Sequence, residues 1–266
     1  MPRFDVHQHL WPEQLVSALS NRADPPCLRG SRLELREGVF EIDLTAHDLQ
    51  ARLALLDREG IDVAVVSMAP TMGSDEAPEL AEAYDEGILE ITAAAAGRIL
   101  PLAAGDEREG FAGASVSAPR VVKDGIGPRT KPVFVHPGYA EPPPKGMPPW
   151  WTPVIDYTAQ MQAAFAAVFA RGAPEVPVIF AILAGGAPFQ LERLRQRGDA
   201  SELPPNLYFD TASYGRHALD LAVAACGSER ILYGSDTPVM DPGPTREAIG
   251  DWFDRFAEEN PASLFR

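Results

Sequence analysis

The sequence predicts an α/β protein, specifically a TIM-type (β/α)8 barrel, from two observations. Eight short β-rich runs are spaced along the chain, and helical patterns follow several of them. The runs are residues 4–7, 62–67, 99–103, 111–116, 132–135, 178–183, 207–210 and 231–233. Residues 62–67 (DVAVVS) show the near-continuous apolar character of a parallel strand covered on both faces. An open doubly wound sheet is the alternative architecture, but no G-x-G-x-x-G follows an early strand to support it.

The helices are predicted by apolar periodicity. Leu49, Leu53 and Leu56 recur at i, i+4 and i+7 within residues 46–58, giving one apolar face. Further helical patterns span residues 77–95, 154–171, 189–197, 216–225 and 245–259.

Two units are expected to be shortened. Only residues 104–110 separate the third and fourth strands, too few for a crossover helix of normal length. Residues 117–130 carry two prolines and two glycines, which count against a helix there. The expectation is a distorted barrel with short third and fourth βα units. Residues 32–43 alternate around Gly38 and read as a small hairpin over the barrel mouth. The Pro-rich run 141–153 (EPPPKGMPPWWTP) reads as an ordered loop. No repeat or boundary divides the chain, so residues 1–266 are expected to form a single barrel domain.

Composition narrows the function classes. The 266 residues are 45% hydrophobic and 23% charged, as in ordinary globular proteins. A formal net charge of -15 repels phosphate backbones and anionic bilayers, so neither nucleic acid nor membrane is an expected partner. Cys27 and Cys226 lie far apart in unlike contexts and read as free thiols in a reducing compartment. The N-terminus lacks a basic start followed by an apolar stretch, and no run approaches the roughly 20 residues of a membrane span. The expected setting is cytoplasmic and the expected partner a small-molecule substrate, with homo-oligomerisation left open.

The chemistry concentrates at strand ends. In His7-Gln8-His9 the two imidazoles share one face of a strand, because side chains alternate, and could grip a metal together. An H-x-H also arises by chance, but this one ends the first strand, where barrel active sites lie. His136 ends the apolar run 132–135 before a Pro-Gly turn, although a lone histidine is often only a hydrogen-bonding residue. Asp236 follows Gly-Ser at the end of the eighth run and could equally cap the next helix. In a closed barrel the eighth strand neighbours the first, which brings Asp236 beside His7 and His9, while His136 enters from across. Three imidazoles and one carboxylate suit one zinc or a similar divalent ion.

Weaker candidates surround these four. Trp11, Trp150, Trp151 and Tyr157 fall near predicted mouth loops and could line a pocket, although aromatics more often simply pack. Asp210 and Tyr214 follow the seventh run and could face the pocket. Asp210 could also cap a helix or support a ligand histidine. His47 is expected near a helix start and His217 on a solvent-facing helix, neither with a chemical role.

Together DVHQHLW, VFVHPG, AILAGGAPF and LYGSDTP resemble the amidohydrolase superfamily, most closely its amidohydrolase-related group of metal-dependent decarboxylases and lactone or amide hydrolases. The resemblance spans almost the whole chain. It implies that His7, His9 and His136 bind metal and that Asp236 is a ligand or the base acting on water. Many relatives carry a histidine at the end of the sixth strand, where this chain has Ile182. Binuclear branches use a carbamylated lysine, and none of Lys123, Lys131 and Lys145 is placed to supply it, so one metal is expected.

The function expected from the sequence is a mononuclear metal-dependent hydrolase acting on a C–N or C–O bond, with Asp236 as proton acceptor. Ile182 weighs against decarboxylation, because it offers neither a proton nor a hydrogen bond. A non-oxidative decarboxylase on the same site is the first alternative. A catalytically idle binding protein that keeps the fold is the second.

Overall fold

The computed structural model describes residues 1–172, 174–198 and 202–265. The chain opens with β1 (Phe4–His9) and α1 (Glu13–Asn21). Three small strands follow: β2 (Cys27–Arg29), β3 (Arg32–Leu35) and β4 (Gly38–Glu41). Next come α2 (Leu49–Glu59), β5 (Val63–Ser67), α3 (Pro78–Ala94), β6 (Ile99–Ala104) and β7 (Gly113–Ser117). The middle of the chain holds α4 (Ala118–Asp124), β8 (Val133–His136), α5 (Tyr157–Arg171), β9 (Val178–Phe180) and α6 (Ile182–Gln196). It ends with β10 (Leu207–Asp210), α7 (Arg216–Cys226), β11 (Ile231–Leu232) and α8 (Pro242–Ile249).

The barrel is the eight-stranded sheet β1-β5-β6-β7-β8-β9-β10-β11, parallel throughout. Its seam closes between β1 and the segment after β11. Val6 N donates to Tyr233 O at 2.9 Å, Asp236 N to His7 O at 2.8 Å and His9 N to Thr237 O at 2.7 Å. All eight β-rich runs are therefore barrel strands, and each predicted helical pattern overlaps an observed helix. Phe165 of α5 packs against Phe180 and Phe209 on the outer wall. Inside, Phe134 meets the His7 ring edge-on at 4.9 Å and floors the site.

Local chemistry accounts for the element ends. Asp48 caps α2 by accepting from Ala51 N at 2.9 Å, and Gly60 stops it in the left-handed region at φ 66°. Among the described residues no helix separates β6 from β7, as the spacing predicts. Within residues 117–130, by contrast, Ala118–Asp124 do form a helix. Ser117 accepts from Arg120 N at 3.2 Å and Pro119 sits in the first turn of α4, where its missing N–H costs nothing. The unit is still short, at 7 residues.

The sixth run also departs from expectation. β9 stops at Phe180, because Ile182, Leu183 and Ala184 take positive φ angles of 47°, 49° and 51° and continue into Gly185 and Gly186. Gly185 is required by contact: a Cβ there would lie 2.3 Å from the Thr158 carbonyl oxygen of α5.

β3 and β4 form the predicted hairpin with a two-residue turn at Arg36–Glu37, and β2 extends it to three strands. The turn reaches the loop after β8, where the Arg36 guanidinium lies 4.2 Å from the centre of the Tyr139 ring. The Pro-rich stretch from residue 141 is irregular up to Trp150. Both cysteines are free and buried. No helix among the described residues is long and apolar enough to cross a membrane.

Candidate metal centre

His7, His9, His136 and Asp236 converge, with their nearest ligand atoms all within 4.8 Å of one another. His9 and His136 are the last residues of β1 and β8, so the cluster lies at the carboxyl ends of the strands. Nε2 of His7 is 3.3 Å from Nε2 of His9. Oδ1 of Asp236 is 3.1 Å from His9 Nε2 and 3.4 Å from His7 Nε2. The three imidazoles are buried, and the Asp236 side chain is 14% exposed at the mouth.

Each imidazole is held at its other nitrogen. His7 Nδ1 lies 2.7 Å from Asp210 Oδ2, His9 Nδ1 3.0 Å from the Ser67 carbonyl, and His136 Nδ1 2.9 Å from the Pro137 carbonyl. All three partners are acceptors, so each Nδ1 carries a hydrogen and Nε2 is the atom each ring offers to a metal. Bare lone pairs on His7 and His9 Nε2 at 3.3 Å would face each other unfavourably, so a proton or a metal cation belongs between them. The donor set of three imidazole nitrogens and one carboxylate therefore fits a divalent metal.

The electrostatics agree. Burial opposes charge on His7, but the Asp210 and Asp236 carboxylates prevail and raise its pKa to about 9. Burial, followed by the neighbouring His7 and His9, drives His136 well below 6.5. Burial pushes Asp236 upward, yet the surrounding histidines outweigh it and hold the carboxyl below its ordinary value. One positive charge is thus favoured among the imidazoles, and a metal supplies it without a proton.

The backbone that aims these groups is irregular. The β1–β5 register shifts between Asp5 and Gln8, so the pairing with β5 is broken around His7. Asp5 Oδ1 accepts from His7 N at 3.2 Å and from Ser235 N at 3.0 Å. Gln8 does point away from the centre: its Nε2 donates to Asp5 Oδ2 at 2.7 Å and its Oε1 accepts from buried Arg52 at 2.8 Å. Arg52 also donates to the carbonyls of His9 and Ala46, each at 3.0 Å. Asp236 itself takes φ 62°, a left-handed conformation that aspartate tolerates. Gly234 allows the close seam, since a Cβ there would fall 2.8 Å from His7 Cβ.

The weaker candidates divide. Asp210 is fully buried and proves to be the partner of His7, with Oδ1 accepting from Ile182 N at 2.9 Å and Ala212 N at 3.0 Å. Trp11 does not line an open pocket. It is buried and stacks on His47 at 4.5 Å, with Trp11 N donating to His47 Nδ1 at 3.1 Å. Trp150 is exposed at 55%, while Trp151, Ile182 and Tyr214 are half-buried. Tyr157 donates to Glu37 Oε1 at 2.6 Å and is close enough to Asp236 to feel its charge. His217 is exposed, as expected. Glu37 had no signal in the sequence, since it reads there as an ordinary charged turn residue, whereas the i+3 spacing of Arg52 from Leu49 puts it on the apolar face of α2 and could have flagged it.

Fold and donor set together define a barrel with a candidate metal centre at the carboxyl ends of its strands. A sequence profile described as Amidohydrolase matches residues 127–266, more than half of the chain. The chain belongs to the amidohydrolase family. No curated protein sequence matches it. Solved structures do. The apo IDCase of Metarhizium anisopliae is similar at TM-score 0.75 and 18% identity, over 100% of this chain and 97% of that one. Dihydroxybenzoic acid decarboxylase of Polaromonas sp. JS666, with bound manganese and 2-nitroresorcinol, matches at TM-score 0.64 and 17% identity, over 99% and 96%. The 5-carboxyvanillate decarboxylase of Novosphingobium aromaticivorans DSM 12444, complexed with manganese and 4-hydroxy-3-methoxy-5-nitrobenzoic acid, matches at TM-score 0.66 and 14% identity, over 99% and 96%. At these identities the likeness is one of fold.

Proposed function

We propose that this protein is a metal-dependent, non-oxidative decarboxylase of a small carboxylic acid. The observation that carries the reading is the convergence of His7, His9, His136 and Asp236 on one point at the barrel mouth. The similar structures that bear decarboxylase names support this chemistry over hydrolysis. His7, His9 and His136 would hold the cation through Nε2, with Asp236 as fourth ligand or proton carrier. Zinc suits three imidazoles and a carboxylate, and the manganese in two similar structures supports manganese as well.

When bound, the cation supplies a positive charge that draws in the substrate's carboxylate and offsets negative charge on its neighbouring oxygens. The bond from the substrate carbon to the carboxylate breaks, carbon dioxide leaves with its oxygens, and the electron pair stays on the carbon. One proton must then reach that carbon. Asp236 is suited to bring it: Oδ1 faces His9 and His7, while Oδ2 makes no hydrogen bond among the described residues. A hydroxyl on the substrate could load Asp236 with that proton and recover it from solvent after release. Phe134 and the buried ring of imidazoles exclude water from the floor of the site.

This choice reverses the preference drawn from the sequence, which rested on Ile182. The reason is that Asp236 can carry the proton that a sixth-strand histidine would otherwise handle. Hydrolysis remains the second reading, favoured by Ile182 itself, because water attack on a carbonyl needs only a proton acceptor. Carbon dioxide release by zinc- or manganese-loaded protein should be measured over a panel of aromatic, heteroaromatic and enoic acids, beside ester, lactone and amide panels. Metal-dependent release at about 1 per second or faster is expected. Turnover confined to the ester, lactone or amide panels would overturn the proposal.

A further inference from the structure

Glu37 stands at the tip of the β3–β4 turn, on an element that is not part of the barrel. A carboxylate at such a tip ordinarily points into water, yet Glu37 is only 6% exposed. One of its oxygens is engaged, because Oε1 accepts from the Tyr157 hydroxyl at 2.6 Å. The other, Oε2, is buried without a hydrogen-bond partner. A buried carboxylate oxygen left unpaired costs free energy that a ligand donor would recover.

Its position says what kind of ligand. Tyr157 begins α5, at the end of the loop that leaves the His136 strand, and the Asp236 charge reaches its hydroxyl, so the Glu37–Tyr157 pair lies on the mouth side of the barrel. The neighbouring Arg36 is stacked on Tyr139, three residues past His136, and its Nη1 donates to Glu141 at 3.2 Å. The turn is thereby fastened to the loop that follows the His136 strand. Arg36 is held by Tyr139 and Glu141 and makes no hydrogen bond to Oε2 of Glu37, although its charge still reaches that carboxyl.

We propose that Glu37, held by Tyr157, is a specificity residue that accepts a hydrogen bond from a hydroxyl or amino group on the substrate, at the end remote from the metal. This assignment rests on the reading that a small acid binds at the centre and adds its substrate class: an acid carrying a second, donor-bearing substituent. The pairing is strong for a donor, adverse for an ether, whose oxygen faces a second acceptor, and without gain for a bare C–H, which leaves the carboxylate oxygen unpaired as before.

The test is calorimetric binding to manganese-loaded protein of benzoate, 3- and 4-hydroxybenzoate, and the methyl ethers of the two hydroxy acids. One hydroxybenzoate is expected to bind wild-type protein about 10-fold or more tightly than benzoate or its own ether. Glu37→Leu should erase that preference while leaving benzoate affinity within about 2-fold. Glu37→Gln, which keeps the shape and can turn an N–H toward the ligand, should favour the ether over the hydroxy acid. Equal binding of all five acids by wild-type protein, or a hydroxyl preference that survives Glu37→Leu, overturns the inference and leaves the decarboxylase reading standing. Glu37-dependent binding without carbon dioxide release from any bound acid supports this inference and counts against that reading. If none of the acids binds wild-type protein, this inference falls, and the carbon dioxide panel alone decides the decarboxylase reading.

Discussion

Asp210 Oδ2 lies 2.7 Å from His7 Nδ1, and the same carboxylate accepts two backbone N–H groups through Oδ1. The aspartate therefore fixes both the rotation of the His7 ring and the nitrogen that bears its hydrogen. Asp210→Asn keeps the shape and an oxygen for the backbone but turns an N–H toward His7. The His7 hydrogen is then forced onto Nε2, where it blocks coordination. Zinc or manganese affinity is expected to fall about 10- to 100-fold with the fold intact, read by calorimetry. Unchanged affinity would remove Asp210 from the support of the centre.

Removing the strand-end pair should have the larger effect. His7→Ala with His9→Ala deletes two of the four groups that converge within 4.8 Å. About one divalent ion per chain is expected in wild-type protein and none in the double variant, measured by elemental analysis after dialysis. Full occupancy in the variant would show that the ion is held elsewhere.

Arg52 tests whether the centre depends on what lies behind it. Its buried guanidinium spans Gln8, the His9 carbonyl and the Ala46 carbonyl, and through Gln8 it reaches Asp5, which holds His7 N and Ser235 N. Arg52→Met strips buried Gln8 Oε1 and the His9 and Ala46 carbonyls of their donor, so destabilisation of about 3 kcal/mol is expected in urea unfolding, with weaker metal binding. Arg52→Lys should not restore binding, because one ammonium cannot reproduce the forked contact. Full rescue by lysine would reduce the role of Arg52 to charge alone.

These residues mark the limit of what the sequence shows. The eight strands were legible because buried parallel strands leave continuous apolar runs. His7 and His9 were legible because i and i+2 share a strand face. Asp236 could be placed beside them only by assuming that the eighth strand meets the first, which the seam between Val6 and Tyr233 bears out. The shift in β1 register, the left-handed run from Ile182 and the pairing of Arg52 with Gln8 were not legible, since each depends on contacts between distant segments. Arg52 stands at i+3 in the set formed by Leu49, Leu53 and Leu56 and shares their helix face, but nothing in the sequence names Gln8, the distant partner that lets a guanidinium be buried there. Trp11 was misplaced for the same reason: its partner, His47, lies 36 residues away in sequence.

His47 gives the protein an acid-sensitive point. Burial, aided by the nearby Arg52 and His9, lowers its pKa to about 3 from the ordinary 6.5. The folded state thus binds this proton more weakly than the unfolded chain does. The contribution of neutral His47 is fully present above pH 6.5 and is lost as pH falls toward 3. At 1.36 kcal/mol per unit the loss reaches about 2 kcal/mol by pH 5. His47→Asn, whose carbonyl can accept from Trp11 N in place of Nδ1, should flatten the dependence of unfolding free energy on pH between 6.5 and 5. Parallel slopes for the two proteins would show that other groups set the acid limit.

Asp236 separates binding from chemistry. It takes φ 62°, and asparagine tolerates that conformation as readily, so Asp236→Asn should fold normally. The amide oxygen can still face His9 Nε2, now at 3.1 Å from Asp236 Oδ1, and can still contribute to metal binding. It cannot take up or deliver a proton. Under the proposed reaction the carbon left by carbon dioxide then lacks its donor, and under hydrolysis the attacking water lacks its acceptor. Turnover on whichever substrate the wild-type protein accepts should fall about 100- to 10,000-fold, the usual weight of a general acid or base. Metal affinity should fall far less, because the three imidazoles remain. The two effects are measured together, as kcat at saturating substrate and as metal dissociation by calorimetry. A variant that keeps kcat within a few fold of wild type would remove Asp236 from proton transfer and assign it to metal binding alone.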